Sequence, residues 1–241
     1  MSFFNTRALK LARILQVPIW RNSFCLYGVA ASVHREPVLR LLCSLDLIVD
    51  IGANRGQFSL LSRYYNHTAR IIAFEPQLSP AETYRRVFAR DKDTLLFGSA
   101  IGPAQGDLTM YISARDHSSS LLPISNLQSQ TFPGTSAAGT TTVAVAPLSS
   151  FLAPVDIVNQ SLLKIDVQGF EYYALQGCES LLDSFTYILC ECSFVELYTN
   201  QRLAPDVISW LAARGFLLKG IYNVYYNSDR LAIQADLLFG R

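Results

Sequence analysis

The stretch VDIGANRGQF, residues 49–58, decides the fold of this chain. It closes an apolar run, 47–51, and passes through two glycines into a segment, 56–65, with the apolar spacing of a helix. A buried strand that turns at glycine into a helix is typical of open α/β sheets, which bind ligands beyond the carboxyl ends of their strands. The helix that follows also presents unpaired backbone N–H groups at that edge. The stretch therefore predicts a ligand site immediately after the first strand.

Strand and helix patterns alternate through the rest of the chain. We predict strands at 47–51, 70–74, 95–101, 108–112, 162–167, 187–193, 216–221 and 231–239, and helices at 56–65, 80–90, 172–182 and 205–214. Such alternation indicates a mostly parallel sheet with helices on both faces, and the last two strands, with no helix between them, indicate an antiparallel hairpin. Residues 113–142 are rich in Ser, Thr, Gly and Ala, which predicts a mobile surface segment.

The first 45 residues differ from the remainder. Basic residues interleave with leucines and isoleucine from Arg7 to Leu15, which predicts an amphipathic helix that ends near Pro18. We expect a helical extension at 1–45 and a single α/β domain at 46–241. Packing of the extension on the domain is one interpretation of this helix, and contact with a membrane surface or a partner is the alternative.

Composition narrows the class of protein. Half of the 241 residues are hydrophobic, 16% are charged, and the formal net charge is +1. These values exclude wholesale disorder and disfavour non-specific nucleic-acid binding. The sequence contains no uninterrupted run of about 18 apolar residues, so we expect no membrane-spanning helix. The five cysteines include no CxxC pair, so we expect buried, reduced thiols and a cytoplasmic location rather than disulfides or zinc.

An acidic residue after the second strand predicts the ligand. Glu75 lies 19 residues beyond Gly56, a spacing at which a carboxylate can accept hydrogen bonds from both ribose hydroxyls. The three-glycine set that holds a pyrophosphate is missing, which disfavours a nicotinamide dinucleotide and an oxidoreductase. A nucleoside with an amino-acid tail, S-adenosylmethionine, is favoured, and Asp50 would meet its amino group directly or through water. A turn without a ligand, with Glu75 as a helix cap, is the alternative.

The motifs of the chain resemble those of the FkbM family of S-adenosylmethionine-dependent methyltransferases. The resemblance runs in order over residues 46–241, and the block at 162–177 with the two stretches after 190 makes it specific. The matching stretches are VDIGANRGQFS at 49–59, IIAFEP at 71–76, SAIG at 99–102, SSSLLP at 118–123, LLKIDVQGFEYYALQG at 162–177, ECSFVELY at 191–198, GF at 215–216 and QADLLF at 234–239.

The resemblance implies a class I, Rossmann-like methyltransferase fold whose seven-stranded sheet is mostly parallel with the last strand antiparallel. It also implies methyl transfer to a hydroxyl of a sugar, glycolipid or secondary metabolite. Carried over, the cofactor residues are Asp50, Gly52, Asn54 and Gly56 at the methionine end, Glu75 at the ribose, and Ser99, Ala100 and Ile101 beside the adenine. Gln168 departs from the family pattern, which more often has Glu at this place.

Three residues are candidates for chemistry at the acceptor. Asp166 ends a strand and is predicted to lie where cofactor and acceptor meet, as a base or in another role, and Lys164 on the same strand face is expected to pair with a carboxylate. Glu171 is a second candidate, with a helix-terminal cap as its alternative role. His117, before a serine run, has a side chain suited to proton abstraction near neutral pH, although an exposed loop histidine is the alternative.

Metal, acceptor and partners are less constrained by the sequence. Asp166, Glu191 and Glu196 could supply oxygen ligands, but their spacing does not establish a cluster, and we expect no metal. A nitrogen acceptor is disfavoured because DVQG, residues 166–169, stands where the Asn/Asp-Pro-Pro-Tyr/Phe run of many N-methyltransferases would be. A non-enzymatic scaffold on a degenerate fold is a further alternative. The expected partner is a small-molecule or glycan acceptor, not nucleic acid, with peripheral membrane contact or a homodimer left open.

Overall fold

A computed structural model describes residues 3–158 and 160–241, with side chains from residue 8 onward. Its strands are β1 (Leu47–Ile51), β2 (Arg70–Phe74), β3 (Thr94–Phe97), β4 (Ala100–Ile101), β5 (Gly106–Ser113), β6 (Ala137–Ala146), β7 (Ser161–Ile165), β8 (Tyr187–Ser193), β9 (Leu217–Tyr226) and β10 (Ala232–Gly240). Its helices are α1 (Phe3–Gln16), α2 (Pro18–Tyr27), α3 (Glu36–Leu41), α4 (Gln57–Tyr65), α5 (Leu78–Val87), α6 (Asn126–Thr131), α7 (Glu171–Cys178) and α8 (Ala204–Ala212). Short 3₁₀ turns occupy Val33–Arg35, Asp116–Ser118, Leu148–Ser150, Pro154–Asp156 and Glu179–Ser184.

Seven strands form the main sheet, in the order β3-β2-β1-β7-β8-β10-β9. The pairs from β3 to β8 are parallel, whereas β10 runs antiparallel to both β8 and β9. The predicted class I methyltransferase sheet, with its last strand antiparallel, is therefore confirmed. The hairpin of β9 and β10 explains the reversal, because no crossover helix separates these strands.

The order of connections reverses at β1, which places a crevice at its carboxyl end. The chain passes from β1 to β2 on one side, and β7 lies on the other side. Ile51 pairs with Phe74 of β2 and with Ile165 of β7. The residues directly after these three partners, Gly52, Glu75 and Asp166, therefore leave the sheet side by side.

A second, three-stranded sheet, in the order β4-β6-β5, covers part of this edge. The predicted strand at 95–101 is divided, because β3 belongs to the main sheet and β4 to the second. The expectation of a mobile segment at 113–142 is wrong in its second half, where α6 and β6 are regular elements. Residues 140–145 read Thr-Thr-Thr-Val-Ala-Val, and β-branched side chains favour a strand even where most of them are exposed.

The N-terminal helices share a core with the main sheet. Ile14, Val17 and Trp20 are buried in one cluster with Ile48 of β1 and Leu162 of β7. The indole N–H of Trp20 donates to the carbonyl oxygen of Leu60 on α4 at 3.1 Å. Helices end at residue 41 and the first strand begins at residue 47, close to the proposed boundary at 45/46, but the packing is continuous across it.

The five cysteines are free thiols that fall into two groups. Cys178, Cys190 and Cys192 are buried, as expected from the sequence. Cys25 and Cys43 are exposed, contrary to that expectation, because they lie on the outer side of the N-terminal helical region.

We predict that Trp20→Ala will lower the free energy of unfolding of the whole chain by about 3–5 kcal/mol, since it leaves a large cavity and removes the hydrogen bond to the Leu60 carbonyl oxygen. Urea denaturation followed by circular dichroism measures this change. Arg21→Ala, at the next and exposed position, is the matched control and should change stability by less than about 0.5 kcal/mol. Equal stability of the two variants would show that the N-terminal helices are not part of the cooperative core.

Candidate active site

A cavity of about 650 Å³ lies at the carboxyl edge of the main sheet. Elements distant in sequence enclose it: the turn after β1, the second sheet, the 115–121 segment and the N-terminal helices. Eight of the sequence-predicted site residues line it, namely Gly52, Asn54, Glu75, Ser99, Ala100, Ile101, His117 and Asp166. Asp50, Gly56 and Glu171 are not among the described lining residues.

Gly52 brings bare backbone to the floor of the cavity. Its φ is +77°, and a Cβ at this position would lie 1.9 Å from the carbonyl oxygen of Asp166. The N–H groups of Gly52 and Ala53 both donate to the carbonyl oxygen of Phe74 at 3.0 Å, which anchors the turn to β2. Any side chain at residue 52 would therefore push the turn after β1 away from the strand end of β7.

Glu75 is held in place by backbone donors. Its two carboxylate oxygens accept hydrogen bonds from the N–H groups of Asn54, at 2.9 Å, and Gln77, at 2.8 Å. The side chain is 3% exposed, and burial raises the pKa of Glu75 to about 7. Each oxygen retains capacity for one more hydrogen bond, so the carboxylate can receive two donors from within the cavity.

Asp50 lies beneath the cavity rather than on its wall. It is fully buried, accepts a hydrogen bond from the Ser59 hydroxyl at 2.7 Å, and has its other oxygen 2.9 Å from the Lys164 ammonium. The expected pairing of Lys164 with a carboxylate is thus confirmed. Asp50 is thus paired with Lys164 behind the wall of the cavity, and its contact with the amino group of the cofactor stays a prediction.

Gly56 allows close packing between the start of α4 and α5. A Cβ there would lie 2.6 Å from the ring of Phe88 and 3.1 Å from that of Tyr84. The missing side chain lets the segment that ends α5 pack closely against the start of α4. The predicted place of Gly56 at the methionine end of the cofactor stays a prediction.

A buried guanidinium lies at the far end of the cavity. Arg35, from the 3₁₀ turn before α3, makes a two-point contact with Asp236 at 2.8 and 2.9 Å. It also lies 3.0 Å from Asp166 and 3.3 Å from Glu191. Together with the adjoining pair beneath the floor, these groups form what we call the ionic cluster: Arg35, Asp50, Lys164, Asp166, Glu191 and Asp236.

Among the described residues of this cluster, two cations face four carboxylates. The cations therefore do not stabilise the ionised form of every carboxylate to the same extent. Although burial acts to raise the pKa of Asp166, the charges of Lys164 and Arg35 hold it well below its usual range. Burial and the nearby charge of Asp166 raise the pKa of Glu191 well above its usual range. The ionised form is therefore favoured for Asp166, which makes it a weak base, whereas the protonated form is favoured for Glu191.

Gln168 joins the two carboxylates that face the cavity. Its amide N–H₂ donates to Asp166 at 2.8 Å and to Glu191 at 3.1 Å, and its oxygen accepts from the Tyr198 hydroxyl at 3.1 Å. A glutamate here would place another negative charge between two carboxylates and would remove the donor. Glutamine, which is neutral and donates through its amide, therefore suits this position between two carboxylates better than the glutamate that is more frequent in the family.

Glu171 supports the turn that carries Asp166 and Gln168. One of its carboxylate oxygens accepts from the N–H groups of Val167 and Gly169, both at 3.0 Å. Burial raises the pKa of Glu171 to about 7. Its contacts are those of a structural cap, so a direct role in catalysis is not supported by its position.

The segment around His117 forms a rim of the cavity. Arg55 donates to the Asp116 carboxylate at 2.9 Å, and the single proton of the Tyr198 hydroxyl is shared between the Gln168 amide oxygen and the Ser118 carbonyl oxygen, each 3.1 Å away. The His117 imidazole is 58% exposed and lies 3.7 Å from Asp116. It reaches the cavity from the solvent side, so its role as a base stays a prediction.

Of the three carboxylates considered as metal ligands, Asp166 and Glu191 share Arg35 and Gln168 as partners, whereas Glu196 does not join them. Glu196 accepts from the Asn200 N–H at 2.8 Å on an exposed loop, away from Asp166 and Glu191. No group of three or more His, Cys, Asp or Glu side chains with a geometry suited to a metal ion occurs among the described residues. Where three carboxylates do converge, the Arg35 guanidinium lies between them.

Sequence reasoning missed the contributions of Arg35 and Glu191. The N-terminal region carried no recognisable motif, and Arg35 lies 156 and 201 residues from two of its partners. The sequence indicates Glu191 only as a potential metal ligand. Its place near the carboxyl end of a strand next to that of Asp166 is the sequence feature that could have identified it as a residue of the site.

A known protein family matches most of the chain. A family model described as the methyltransferase FkbM domain matches residues 50–218. No curated protein sequence is a significant match to the chain.

Three solved structures illustrate the structural likeness. A precorrin-6y C5,15-methyltransferase from Geobacter metallireducens is 11% identical, with a TM-score of 0.48 over 86% of this chain and 87% of its own. A TehB-like S-adenosylmethionine-dependent methyltransferase from Corynebacterium glutamicum is 9% identical, with a TM-score of 0.46 over 92% and 94%. TrmK from M. capricolum, solved with S-adenosylhomocysteine, is 12% identical, with a TM-score of 0.46 over 87% and 68%.

Glu171→Gln should change how stability depends on pH. Because folding raises the pKa of Glu171 from 4.5 to about 7, ionisation penalises the folded state. That penalty is absent below about pH 4.5 and complete above about pH 7. Glutamine keeps the acceptor oxygen without the charge, so the unfolding free energy of the variant relative to wild type should rise by about 1–3 kcal/mol between pH 4.5 and 8.

Denaturant unfolding at a series of pH values measures this difference. Glu171→Ala is the control, since it leaves two backbone N–H groups without an acceptor and should be destabilised at every pH. A Glu171→Gln variant with the same pH dependence as wild type would contradict the assignment.

Proposed function

The chain belongs to the FkbM methyltransferase family, and we propose that it transfers a methyl group to a hydroxyl of a sugar, glycolipid or secondary metabolite. S-adenosylmethionine is the methyl donor. The observation that supports the proposal is the convergence of Gly52, Glu75 and Asp166 at one sheet edge, next to the ionic cluster. This binding site lies next to a carboxylate that can accept a proton. Such an arrangement is more consistent with a group-transfer enzyme than with a non-enzymatic scaffold protein.

The residues of the site suit both the ribose and the cationic methionine part of S-adenosylmethionine. Glu75 offers two acceptor positions for the ribose hydroxyls, and the bare backbone of Gly52 allows close approach. The bound donor supplies an electrophilic methyl carbon on a sulfonium that carries positive charge, beside an α-ammonium group. The excess of carboxylates in the ionic cluster stabilises such a cation electrostatically.

The adenine site is proposed at the start of β4. Ala100 and Ile101 are 9% and 1% exposed and line the cavity with apolar surface. The Ser99 hydroxyl donates to the carbonyl oxygen of Ala144 at 3.2 Å, which joins this wall to β6. A flat, apolar slot with few free polar groups suits an aromatic base.

Glu191 is the proposed proton acceptor for the hydroxyl of the acceptor. When it is ionised, Glu191 is a stronger base than Asp166 because its pKa is raised, and it contacts Arg35 and Gln168 at the wall of the cavity. As the acceptor oxygen forms its bond to the methyl carbon and the bond to sulfur breaks, the hydroxyl proton passes to Glu191. Asp166 remains ionised and provides charge where cofactor and acceptor meet, which is the role proposed for it here.

We also propose that the reaction takes place in a reducing compartment, the cytoplasm. The support is the state of the cysteines, which are free thiols even where Cys190 and Cys192 lie two residues apart on one strand. The acceptor itself is proposed by class alone, as a hydroxylated glycan or small molecule.

Glu75→Ala should weaken binding of S-adenosylhomocysteine about 10- to 100-fold, because two charge-assisted hydrogen bonds to the ribose are lost. Isothermal titration calorimetry measures the dissociation constants of the wild type and the variant. Glu82→Ala, which removes an exposed carboxylate from α5, is the matched control and should bind as the wild type does. Unchanged affinity in a folded Glu75→Ala protein would refute the ribose assignment.

Glu191→Gln should lower methyl transfer at least about 100-fold while affinity for S-adenosylhomocysteine changes less than about threefold, since the amide cannot accept a proton. Transfer of a radiolabelled methyl group to sugars and glycolipids measures the rate. Glu196→Gln, in an exposed loop, is the control and should keep full activity. Full activity of Glu191→Gln would exclude Glu191 as the base and leave His117 as the candidate.

A further inference from the structure

The outward surface of the N-terminal helices α1 and α2 is apolar, although it faces solvent. The inward side chains, Ile14, Val17 and Trp20, are buried against the domain. The opposite side, which we call the outer face, consists of the exposed residues Ala8, Leu9, Leu11, Ala12, Leu15, Ile19, Phe24 and Leu26. Leu9 and Leu26 are 65% and 68% exposed. Packing of the helices on the domain therefore leaves a second apolar surface without a partner among the side chains that the structure describes.

The charge around the outer face has one sign. Residues 1–35 contain no Asp and no Glu, although the chain as a whole has a formal charge of +1. Arg13 is paired with Glu36 at 2.8 Å, and Arg35 is buried in the ionic cluster. Lys10 and Arg21 are exposed beside the apolar residues. Apolar side chains flanked by cations, with no anion among them, are complementary to an anionic lipid surface.

The outer face adjoins the mouth of the candidate active site. Lys10, Leu11 and Ile14 of α1 all line the cavity, and Leu11 also belongs to the outer face. A surface that covered the outer face would therefore lie at the rim of the cavity. No helix in the described part of the chain is long and apolar enough to cross a bilayer, so the contact available to these helices is at the interface.

We propose that the outer face docks the protein on an anionic phospholipid membrane, with α1 and α2 lying in the plane of the interface. The exposed leucines enter the boundary of the acyl chains, and Lys10 and Arg21 meet the phosphate groups. A second copy of the chain is a poorer occupant, because a two-fold interface would bring the same unpaired cations together. Docking turns the mouth of the cavity towards the lipid surface.

The proposal also narrows the acceptor. If the chain methylates a hydroxyl, as proposed above, the acceptor is an amphiphile, such as a lipid-linked sugar, that reaches the cavity from the membrane. This consequence rests on the proposed function, whereas the docking itself does not.

Co-sedimentation of the full chain with large unilamellar vesicles tests the docking. We expect binding to vesicles that contain phosphatidylglycerol, weaker binding to vesicles of phosphatidylcholine alone, and loss of binding as salt rises from about 50 to about 500 mM. Leu9→Gln/Leu15→Gln should bind at least about tenfold more weakly, since two apolar side chains no longer enter the interface. Arg21→Gln should bind about fivefold more weakly at low salt.

Leu95→Gln/Leu217→Gln is the matched control. These leucines lie on the two edge strands of the main sheet and are 43% and 59% exposed, against 40% and 65% for Leu15 and Leu9. This variant should bind vesicles as the wild type does. Equal binding by both double variants, or absence of vesicle binding by the folded wild type, would overturn the proposal.

Two further measurements separate the alternatives. Sedimentation velocity that showed a dimer dissociated by Leu9→Gln/Leu15→Gln, with no vesicle binding, would assign the outer face to a second copy and refute the membrane. Titration with S-adenosylhomocysteine reports separately on the proposed function. Vesicle binding without binding of S-adenosylhomocysteine would support the docking and contradict methyl transfer.

Discussion

The contact of the Arg35 guanidinium with Asp166, Glu191 and Asp236 is the interaction on which the site depends. It joins the N-terminal region to the ends of three strands of the main sheet, β7, β8 and β10. A buried arginine without these carboxylates, or these carboxylates without the arginine, would carry a large desolvation cost. The N-terminal helices are thus part of the catalytic edge and not an appendage to the domain.

The same contact distributes charge within the cavity. Asp166 is kept ionised by its two cationic neighbours, while Glu191, at the periphery of the guanidinium contact, has a raised pKa. Two carboxylates on adjacent strands therefore have different capacities for a proton. The residual negative charge suits a cationic methyl donor, and the carboxylate with the raised pKa suits the removal of a proton from the acceptor.

The N-terminal helices connect this chemistry with the surface of the protein. Helix α1 supplies part of the wall of the cavity, and the outer face of α1 and α2 is apolar and flanked by cations. The second sheet and the rim at 116–118 close the other side of the cavity. The cavity is thus enclosed by parts of the chain outside the main sheet together with the carboxyl edge of the sheet itself.

The sequence by itself determined the turn after β1, the acid after β2 and the final hairpin, because each of these is set by local spacing along the chain, and its motifs determined the family. Glu75 followed from its distance to Gly56, and the antiparallel last strand from the missing crossover helix. The tertiary structure alone decided which carboxylates share Arg35, that Asp50 lies under Lys164, that Gly56 makes room for Phe88, and that residues 137–146 form a strand. These contacts join residues that are far apart in sequence, and their energies depend on burial and on neighbouring charges, which no local periodicity encodes.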